Sequence, residues 1–174
     1  MENRKIWIAD DILSLVECIP QIDDVNNYKC WRDKATQDGY NFKLEDTLEE
    51  FRSHPIKSRF IATIQRNSDS ACIGSISVSP EGSVPDLAIM LYKPFRHHGY
   101  GTKAFSLAVQ YCFNVLKIDE LHAGCYETNI VSQKMITKCG FQPNPQGNQL
   151  EEHYLTREPI MQFDFVITNP NKNQ

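Results

Sequence analysis

The chain has 174 residues, of which 41% are hydrophobic and 23% are charged, and its formal net charge at pH 7 is −4. A chain of this length buries a core of its own without disulfides or metals, so one domain is predicted over residues 1–174, with a frayed tail over 168–174. The negative charge argues against nucleic acid as the main partner, because nucleic-acid-binding domains usually present a basic face.

The first residues carry no targeting signal that we recognise. Residues 1–5 are charged and polar, the apolar stretch that follows is short, and Asp10 and Asp11 end it. This pattern fits neither a signal peptide nor a membrane span. We therefore predict a cytoplasmic protein that does not associate with membranes.

The cysteines are scattered and show no pairwise spacing typical of metal sites. Six are present, at Cys18, Cys30, Cys72, Cys112, Cys125 and Cys139. Most lie among apolar residues, which predicts buried, reduced thiols in a reducing compartment. His122 and Cys125 have the spacing of half a zinc site, but no second pair completes a tetrahedral set, so no metal is predicted.

The N-terminal third mixes strands and helices. Two strand-like runs separated by a turn lie at residues 5–8 and 13–19. A helix is predicted over residues 25–31, where apolar residues recur at helical spacing after an aspartate that can serve as N-cap. The polar segment 36–43 contains a glycine and is predicted to be a loop. Thr47 and Glu50 have the spacing of a capping box, so another helix is predicted to begin there.

The middle of the chain alternates short strands with turns. Strands are predicted at residues 59–64, 71–78 and 88–92. Because closely spaced strands joined by turns pair with their neighbours, these are expected to be antiparallel.

The stretch around which the chain is organised begins in the last of these strands. A basic, glycine-containing turn over residues 93–101 leads from the strand into a helix predicted over 102–116. The free N–H groups of a first helical turn and the helix dipole favour a negatively charged ligand at this position. The sequence therefore predicts a ligand that carries phosphate.

The C-terminal part contributes a further strand, a helix and a closing hairpin. The strand over 120–126 follows a helix, so it is predicted to run parallel to the strand at Ala88. A helix is predicted over 129–139, with Gly140 after its last residue. Two strands, at 150–155 and 160–167, close the chain. The predicted fold is α+β, with a mixed but largely antiparallel sheet of about seven strands flanked by helices.

Two motifs, one before and one after the predicted helix 102–116, carry a family resemblance. Residues 96–101 match the pattern Gln/Arg-x-x-Gly-x-Gly/Ala between a strand and a helix. Residues 129–141 are similar to the pattern Asn-x-x-Ser … Lys-x-Gly-Phe. From about residue 60 to residue 141 the chain resembles the GCN5-related N-acetyltransferases (GNAT family), and within them the branch of the ribosomal-protein N-terminal acetyltransferases.

This resemblance implies a splayed sheet that binds acetyl-CoA as co-substrate. The sheet is expected to open between its fourth and fifth strands, which hold Met90 and residues 122–125. The pantetheine arm would insert there, and the pyrophosphate would lie on the glycine turn. The residues implied in cofactor binding are Met90, Leu91, Tyr92, Arg96, His97, His98, Gly99, Tyr100, Gly101, Thr102, Asn129 and Ser132.

The implied reaction is direct attack of a primary amine on the thioester. The donor to the thioester oxygen is expected to be the N–H of Met90 or of Leu91. Many relatives place a tyrosine in the last helix as acid, but this chain has Ile136 there, which leaves Ser132 or a water as the proton donor. The candidates for general base are Asp86 and Glu127. Further acids that could line an acceptor site are Glu17, Glu151 and Glu152.

Two other interpretations remain open from the sequence. Gly99, Gly101 and Ala104 also fit a dinucleotide-binding fingerprint, although antiparallel strands and a basic segment precede them. Alternatively, the chain is a non-catalytic acyl-CoA-binding or regulatory module on the same fold. The acceptor is expected to be a small-molecule or peptide amine, and a homodimer could form through residues 161–163.

Overall fold

The computed structural model describes residues 4–172, which form two β-sheets and five α-helices. The strands are β1 (Ile6–Ala9), β2 (Leu13–Glu17), β3 (Phe60–Arg66), β4 (Ala71–Val78), β5 (Leu87–Leu91), β6 (Glu120–Tyr126), β7 (Gln142–Pro143), β8 (Gln149–Glu152) and β9 (Pro159–Thr168). The helices are α1 (Pro20–Trp31), α2 (Lys34–Tyr40), α3 (Leu48–Ser53), α4 (Tyr100–Asn114) and α5 (Ile130–Lys138). None of the helices within residues 4–172 has the length and apolar character needed to cross a membrane.

The N-terminal sheet is antiparallel throughout and has the order β1-β2-β3-β4-β5. The predicted antiparallel arrangement of the middle strands is therefore confirmed. A bulge interrupts the pairing of β3 with β4 after Ile64, so that Ile64 lies opposite Gly74 and Gln65 opposite Cys72. The extra residue bends β4 next to the position where β5 ends.

The C-terminal sheet is built around β9. Strand β6 pairs with β9, as do the short strands β7 and β8, all antiparallel. The predicted closing hairpin is the pair β8 and β9. The two-residue strand β7 is too short to leave a pattern in the sequence, which is one reason the predicted number of strands was lower.

A gap separates the two sheets between β5 and β6. Among the described residues, the backbone pairing between them is a single parallel bridge, from Asp86 to His122. The predicted parallel relation of these strands is thus confirmed. The two strands diverge beyond the bridge toward Leu91 and Tyr126, which places the splay where the sequence predicted it.

The core packs α4 against the N-terminal sheet and continues into β6, α5 and β9. The apolar stripe of α4 is buried at Ala104, Leu107, Ala108, Tyr111 and Cys112, as its helical spacing predicts. The helix begins at residue 100, two residues earlier than predicted. This packing fixes the axis of α4 and therefore the direction in which its N-terminus points.

The first helix begins earlier than the sequence predicted. It starts at Pro20, which suits a first helical position because proline lacks the N–H that would be unpaired there. Asp23 accepts a hydrogen bond from the Ile19 N–H at 2.8 Å, so the aspartate caps the helix from within its first turn. The prediction of an aspartate that precedes the helix was wrong.

The predicted loop over 36–43 is also wrong, because helix α2 occupies most of that segment. Tertiary contacts stabilise the helix despite its polar sequence: the Tyr40 ring packs on Trp31 with centroids 4.8 Å apart. Asn41 then ends α2 in a left-handed conformation, with φ 50°. The capping box predicted at Thr47 and Glu50 is present at the start of α3.

Candidate active site

The turn before α4 presents a row of free backbone donors. His97 and Gly99 both have positive φ, 63° and 80°, which turns successive N–H groups to the same side. Among residues 4–172, no acceptor is found for the N–H groups from His97 to Thr102. Together with the positive end of α4, these donors form a site suited to an anion.

A second glycine of this turn is required by packing. At Gly101 a Cβ atom would lie 3.2 Å from the Met135 sulfur and 3.5 Å from a Leu91 methyl carbon. The absence of a side chain lets α4 approach both β5 and α5. The turn over residues 96–102, called the phosphate turn below, is thereby held against the open end of the gap.

Arg96 is held by protein acceptors. Its guanidinium donates to Asp33 Oδ2 at 2.6 Å, to Thr36 Oγ1 at 2.9 Å and to the Leu91 carbonyl at 2.9 Å. Burial alone would raise the pKa of Asp33, but the hydrogen bond from Arg96 outweighs it and the pKa is lowered. Arg96 lines the cleft, yet it ties the end of β5 to α2 and does not project as a free charge.

The other side chains of the turn differ in how they are used. His97 and His98 are exposed, and His98 Nδ1 lies 2.6 Å from the Arg96 carbonyl oxygen. The His98 ring stacks on Tyr100, with centroids 5.9 Å apart. Tyr92 is buried away from the cleft, where its hydroxyl donates to Asn27 Oδ1 at 2.8 Å and its N–H donates to the Ile73 carbonyl. Tyr92 thus offers neither group to a ligand in the gap.

The gap opens into a cleft of about 610 Å³ that passes through the sheet. In an antiparallel pair, backbone groups of alternate residues face alternate sides. The Tyr92 N–H and the Asp86 carbonyl both bond to β4. The backbone N–H and C=O groups of the even-numbered residues of β5 therefore point to β4, and those of the odd-numbered residues point into the gap. The register therefore distinguishes Met90 from Leu91: the Leu91 N–H is the one directed into the cleft.

Side chains on the two faces of the sheet give the cleft two different halves. On the face of α4 and α5 it is lined by the phosphate turn, Phe105 and Ser132. On the face of α2 it is lined by Tyr40, Asp86 and Tyr126. A ligand that enters along α4 thus meets, through the gap, a second pocket with different chemistry.

Asp86 lies at the closed end of the gap, in a group of ionisable side chains. Burial, and next the charge of Asp164, raise the pKa of Asp86, while His122 opposes them. His122 Nδ1 lies 3.0 Å from Asp164 Oδ2, and its Nε2 lies 3.3 Å from Glu120 Oε1. Burial would lower the pKa of His122, but these two carboxylates outweigh it and raise the pKa. Cys125 lies on the opposite face of β6, because it is three positions after His122 and side chains alternate along a strand.

The other predicted catalytic candidate for a base is placed elsewhere. Glu127 is exposed, and its Oε1 accepts the Met161 N–H at 2.9 Å. It does not line the cleft. The structure therefore brings Asp86, but not Glu127, together with the phosphate turn.

The two predicted residues of the last helix lie at its N-terminus. Asn129 is the N-cap of α5, and its Oδ1 accepts the Ser132 N–H at 3.1 Å. The Ser132 hydroxyl lines the cleft and has no partner among the described residues. Ile136 is 2% exposed and offers no polar group to the cleft.

Two tyrosines in the cleft were missed by the sequence reasoning. Tyr40 donates to the Ile89 carbonyl at 2.7 Å, directly at the gap, but it lies in the segment predicted as a loop. Tyr126 donates to Glu151 Oε2 at 2.7 Å, and burial together with Glu151 raises the pKa of Tyr126 to about 12. The alternation of β6 would have predicted Tyr126 on the same face as His122.

The remaining acids proposed for an acceptor site are divided by the structure. Glu151 lies beside the cleft through its bond with Tyr126. Glu152 is an exposed partner of Arg157, at 2.9 Å. Glu17, on β2, lies close to the Lys5 N–H and does not line the cleft.

Comparisons with known proteins agree with this architecture. Residues 7–142 match the family model of the acetyltransferase (GNAT) domain. No curated protein sequence gives a significant match.

Solved structures share the fold at low sequence identity. Spermidine N-acetyltransferase from Vibrio cholerae, in complex with CoA and spermine, is 13% identical with a TM-score of 0.81, over 95% of this chain and 100% of that one. A Vibrio cholerae protein assigned as a ribosomal-protein-serine acetyltransferase is 18% identical with a TM-score of 0.65, over 92% and 96%. The microcin C7 self-immunity acetyltransferase, in complex with acetyl-CoA and AMP, is 14% identical with a TM-score of 0.70, over 91% and 93%.

The family model spans most of the chain, and its region contains both the phosphate turn and the gap. The chain belongs to the GNAT family of acetyltransferases.

Proposed function

We propose that the protein is an acetyl-CoA-dependent N-acetyltransferase that acetylates a primary amine. The observation that carries this proposal is the cleft that crosses the sheet. It has free backbone donors on one face and the half-buried carboxylate of Asp86 on the other. A phosphate-bearing acyl donor and an amine acceptor can therefore meet from opposite faces at the gap.

The residues present fit acetyl-CoA. The N–H groups from His97 to Thr102 would hold its pyrophosphate, and the arm would enter the gap beside β5. Ser132, with its free hydroxyl, would contact the same arm. Acetyl-CoA supplies an acetyl group activated as a thioester. The CoA and acetyl-CoA complexes of the spermidine and microcin C7 enzymes support this assignment.

Three groups of this chain are proposed to act on the reacting atoms. The Leu91 N–H donates to the thioester oxygen, where negative charge develops. Asp86 has no described hydrogen-bond donor, and burial raises its pKa; it would take the proton from the attacking amine through bound water, because five residues of β5, about 16 Å, separate it from Leu91. Ser132 donates a proton to the leaving thiolate in place of the tyrosine that Ile136 replaces.

The experiment is a combined measurement of binding and turnover. Titration calorimetry with acetyl-CoA, and thiol release over a panel of amines, peptides and polyamines, should give binding together with release on at least one amine. An Asp86→Asn variant should then lose about 100-fold or more in kcat/KM while it still binds acetyl-CoA. Tight binding of acetyl-CoA with no thiol release on any acceptor would overturn the proposed enzymatic activity and favour a non-catalytic acyl-CoA-binding module.

The phosphate turn has a matched control elsewhere in the chain. Gly99 and Gly82 have similar positive φ, 80° and 84°, and an added Cβ meets no atom within 4 Å at either position. Valine at either position should therefore strain the backbone to a similar degree. We expect Gly99→Val to weaken acetyl-CoA binding at least tenfold and Gly82→Val to leave it unchanged. Equal affinities in the two variants would argue against binding at the turn.

A further inference from the structure

A second cavity, of about 590 Å³, lies on the α1 face of the N-terminal sheet. Its floor is formed by Ser75, Ser77 and Met90, which share one face because Ser75 pairs with Met90 across β4 and β5. Asn27 and Trp31 of α1 form one wall. The segment after α3 closes the opposite side.

Polar groups that have no protein partner line this cavity. Ser75 and Asn27 are each only 7% exposed, and Ser77 is partly exposed. Asn27 Oδ1 accepts a hydrogen bond from the Tyr92 hydroxyl, but its Nδ2 and the hydroxyls of Ser75 and Ser77 have no partner among residues 4–172. None of these three groups is fully enclosed by protein, so each is free to bond to a polar ligand in the cavity.

The charges around the cavity are unequal. One acid, Asp24, and three basic side chains line it: Arg52, His54 and Lys57. Within the described part of the chain, Arg52 and Lys57 make no ion pair, whereas His54 lies 3.4 Å from Asp46. A ligand with a positively charged far end would thus be repelled by the basic side chains. A ligand with a carboxylate there could pair with Arg52 and Lys57.

The cavity adjoins the acceptor half of the cleft. Met90 lines both spaces. Above it, Trp31 lines the cavity and packs on Tyr40, which lines the cleft. Residues that line the two spaces are therefore in contact, and a molecule in the cavity could extend toward the gap if the side chains of Met90 and Trp31 moved.

We infer that this cavity holds the body of the acceptor, and that the acceptor is an amine with a polar, carboxylate-bearing far end, such as an amino acid or short peptide, and not a polyamine. The inference rests on the proposed function. The amine would reach the gap beside Asp86, the polar body would bond to Asn27, Ser75 and Ser77, and the carboxylate would pair with Arg52 and Lys57.

The test compares two dipeptides that differ only at the far end, with a polyamine beside them. Alanyl-alanine, its C-terminal amide and spermidine are assayed by thiol release, and the two dipeptides are titrated onto the CoA-bound protein by calorimetry. We expect the free carboxylate to be preferred over the amide at least tenfold in kcat/KM and in affinity. Spermidine should be the poorest of the three.

Variants assign that preference to the cavity. Lys57→Gln and Arg52→Gln should each reduce the preference for the carboxylate about fivefold or more, because each removes an exposed charge that lines the cavity. Lys29→Gln removes an exposed charge from α1 outside the cavity and should leave the preference intact. Ser75→Ala, a small change, should weaken both dipeptides equally.

The outcomes separate this inference from the proposed function. Equal use of the dipeptide and its amide, or a preference for spermidine, would overturn the inference and leave the acetyltransferase intact. Binding of acetyl-CoA without turnover would overturn the proposed function. In that case the inference is tested by calorimetry alone. If Lys57→Gln did not change the affinity for alanyl-alanine, the inference would be overturned as well.

Discussion

Ionisation of Asp86 would serve catalysis but lower the stability of the fold. Its carboxylate is buried at the closed end of the gap, near Asp164, and has no hydrogen-bond donor among the described residues. A raised pKa in the folded state means that ionisation destabilises the fold. The free energy of unfolding is therefore highest when Asp86 is protonated. It falls as the pH rises from the pKa of an unfolded aspartate, about 3.9, through the higher pKa of Asp86 in the folded protein.

We therefore expect Asp86→Asn to stabilise the protein at pH 7 while it lowers activity. The gain in the free energy of unfolding should shrink as the pH falls toward 4, because the wild-type carboxyl is then protonated. Urea denaturation of both proteins between pH 4 and pH 8 measures this. Asp11→Asn, at an exposed turn, is the control and should change little. A variant that is less stable at pH 7 would mean that His122 stabilises the charged form more than burial opposes it.

Site residues that belong to a local sequence motif could be predicted. Those whose role depends on strand register could not. Gly99 and Gly101 follow from a local pattern, since a tight turn and a close helix contact need them at fixed positions. The choice between Met90 and Leu91 depends on which side of β5 faces β4, which a sequence cannot supply before the pairing is known. Tyr40 was missed because its segment is helical only through packing on Trp31.

At the scale of elements, Gly74 of β4 lets the end of β5 lie close to β4 and so diverge from β6. A Cβ atom at Gly74 would press on the Met90 carbonyl oxygen and lie 3.1 Å from the Leu91 Cα, both in the backbone of β5. The glycine sits directly after the bulge in β4. Its missing side chain is thus what allows β5 to cross close to β4 just where the gap opens.

Gly74→Ala should consequently move β5 and disturb the Leu91 N–H. We expect a loss of about 1–3 kcal/mol in the free energy of unfolding and acetyl-CoA binding that is at least tenfold weaker. Urea denaturation and calorimetry measure the two effects. Gly124→Ala, across the gap on β6, serves as the stability control, because its Cβ would meet only the movable amide of Gln162 at 3.2 Å. Unchanged stability and affinity in Gly74→Ala would remove the role given to this glycine.

Long elements with a clear hydrophobic period were predicted well from the sequence. Helix α4 and the strands of the N-terminal sheet differ from prediction by a few residues at their ends. The failures are short elements and helix ends. Helix α2 and strand β7 depend on tertiary contacts, and α1 begins at Pro20, after Ile19, whose N–H is accepted by an aspartate inside the helix. Local sequence specifies these elements weakly, so the remainder of the fold decides them.

At the scale of the whole molecule, one backbone bridge joins the two sheets within residues 4–172, and a ligand in the gap would connect them further. Acetyl-CoA at about 100 times its Kd should stabilise the folded protein by about 2.7 kcal/mol. For a chain of this size that corresponds to a rise in Tm of roughly 5–10 °C. Thermal denaturation with and without acetyl-CoA measures this. NAD⁺ at the same concentration is the control, and an equal rise with it would favour the dinucleotide-binding alternative.

The gap has a further consequence for the protein before it meets its ligand. Among the described residues, the edges of β5 and β6 that face each other beyond the Asp86–His122 bridge pair with no further strand, although Tyr40 and Arg96 donate to the Ile89 and Leu91 carbonyls of β5. Strand edges without a neighbouring strand are templates for association with other chains. An inserted acyl-CoA arm would occupy these edges, so the protein without ligand is expected to associate more readily than the protein with acetyl-CoA bound.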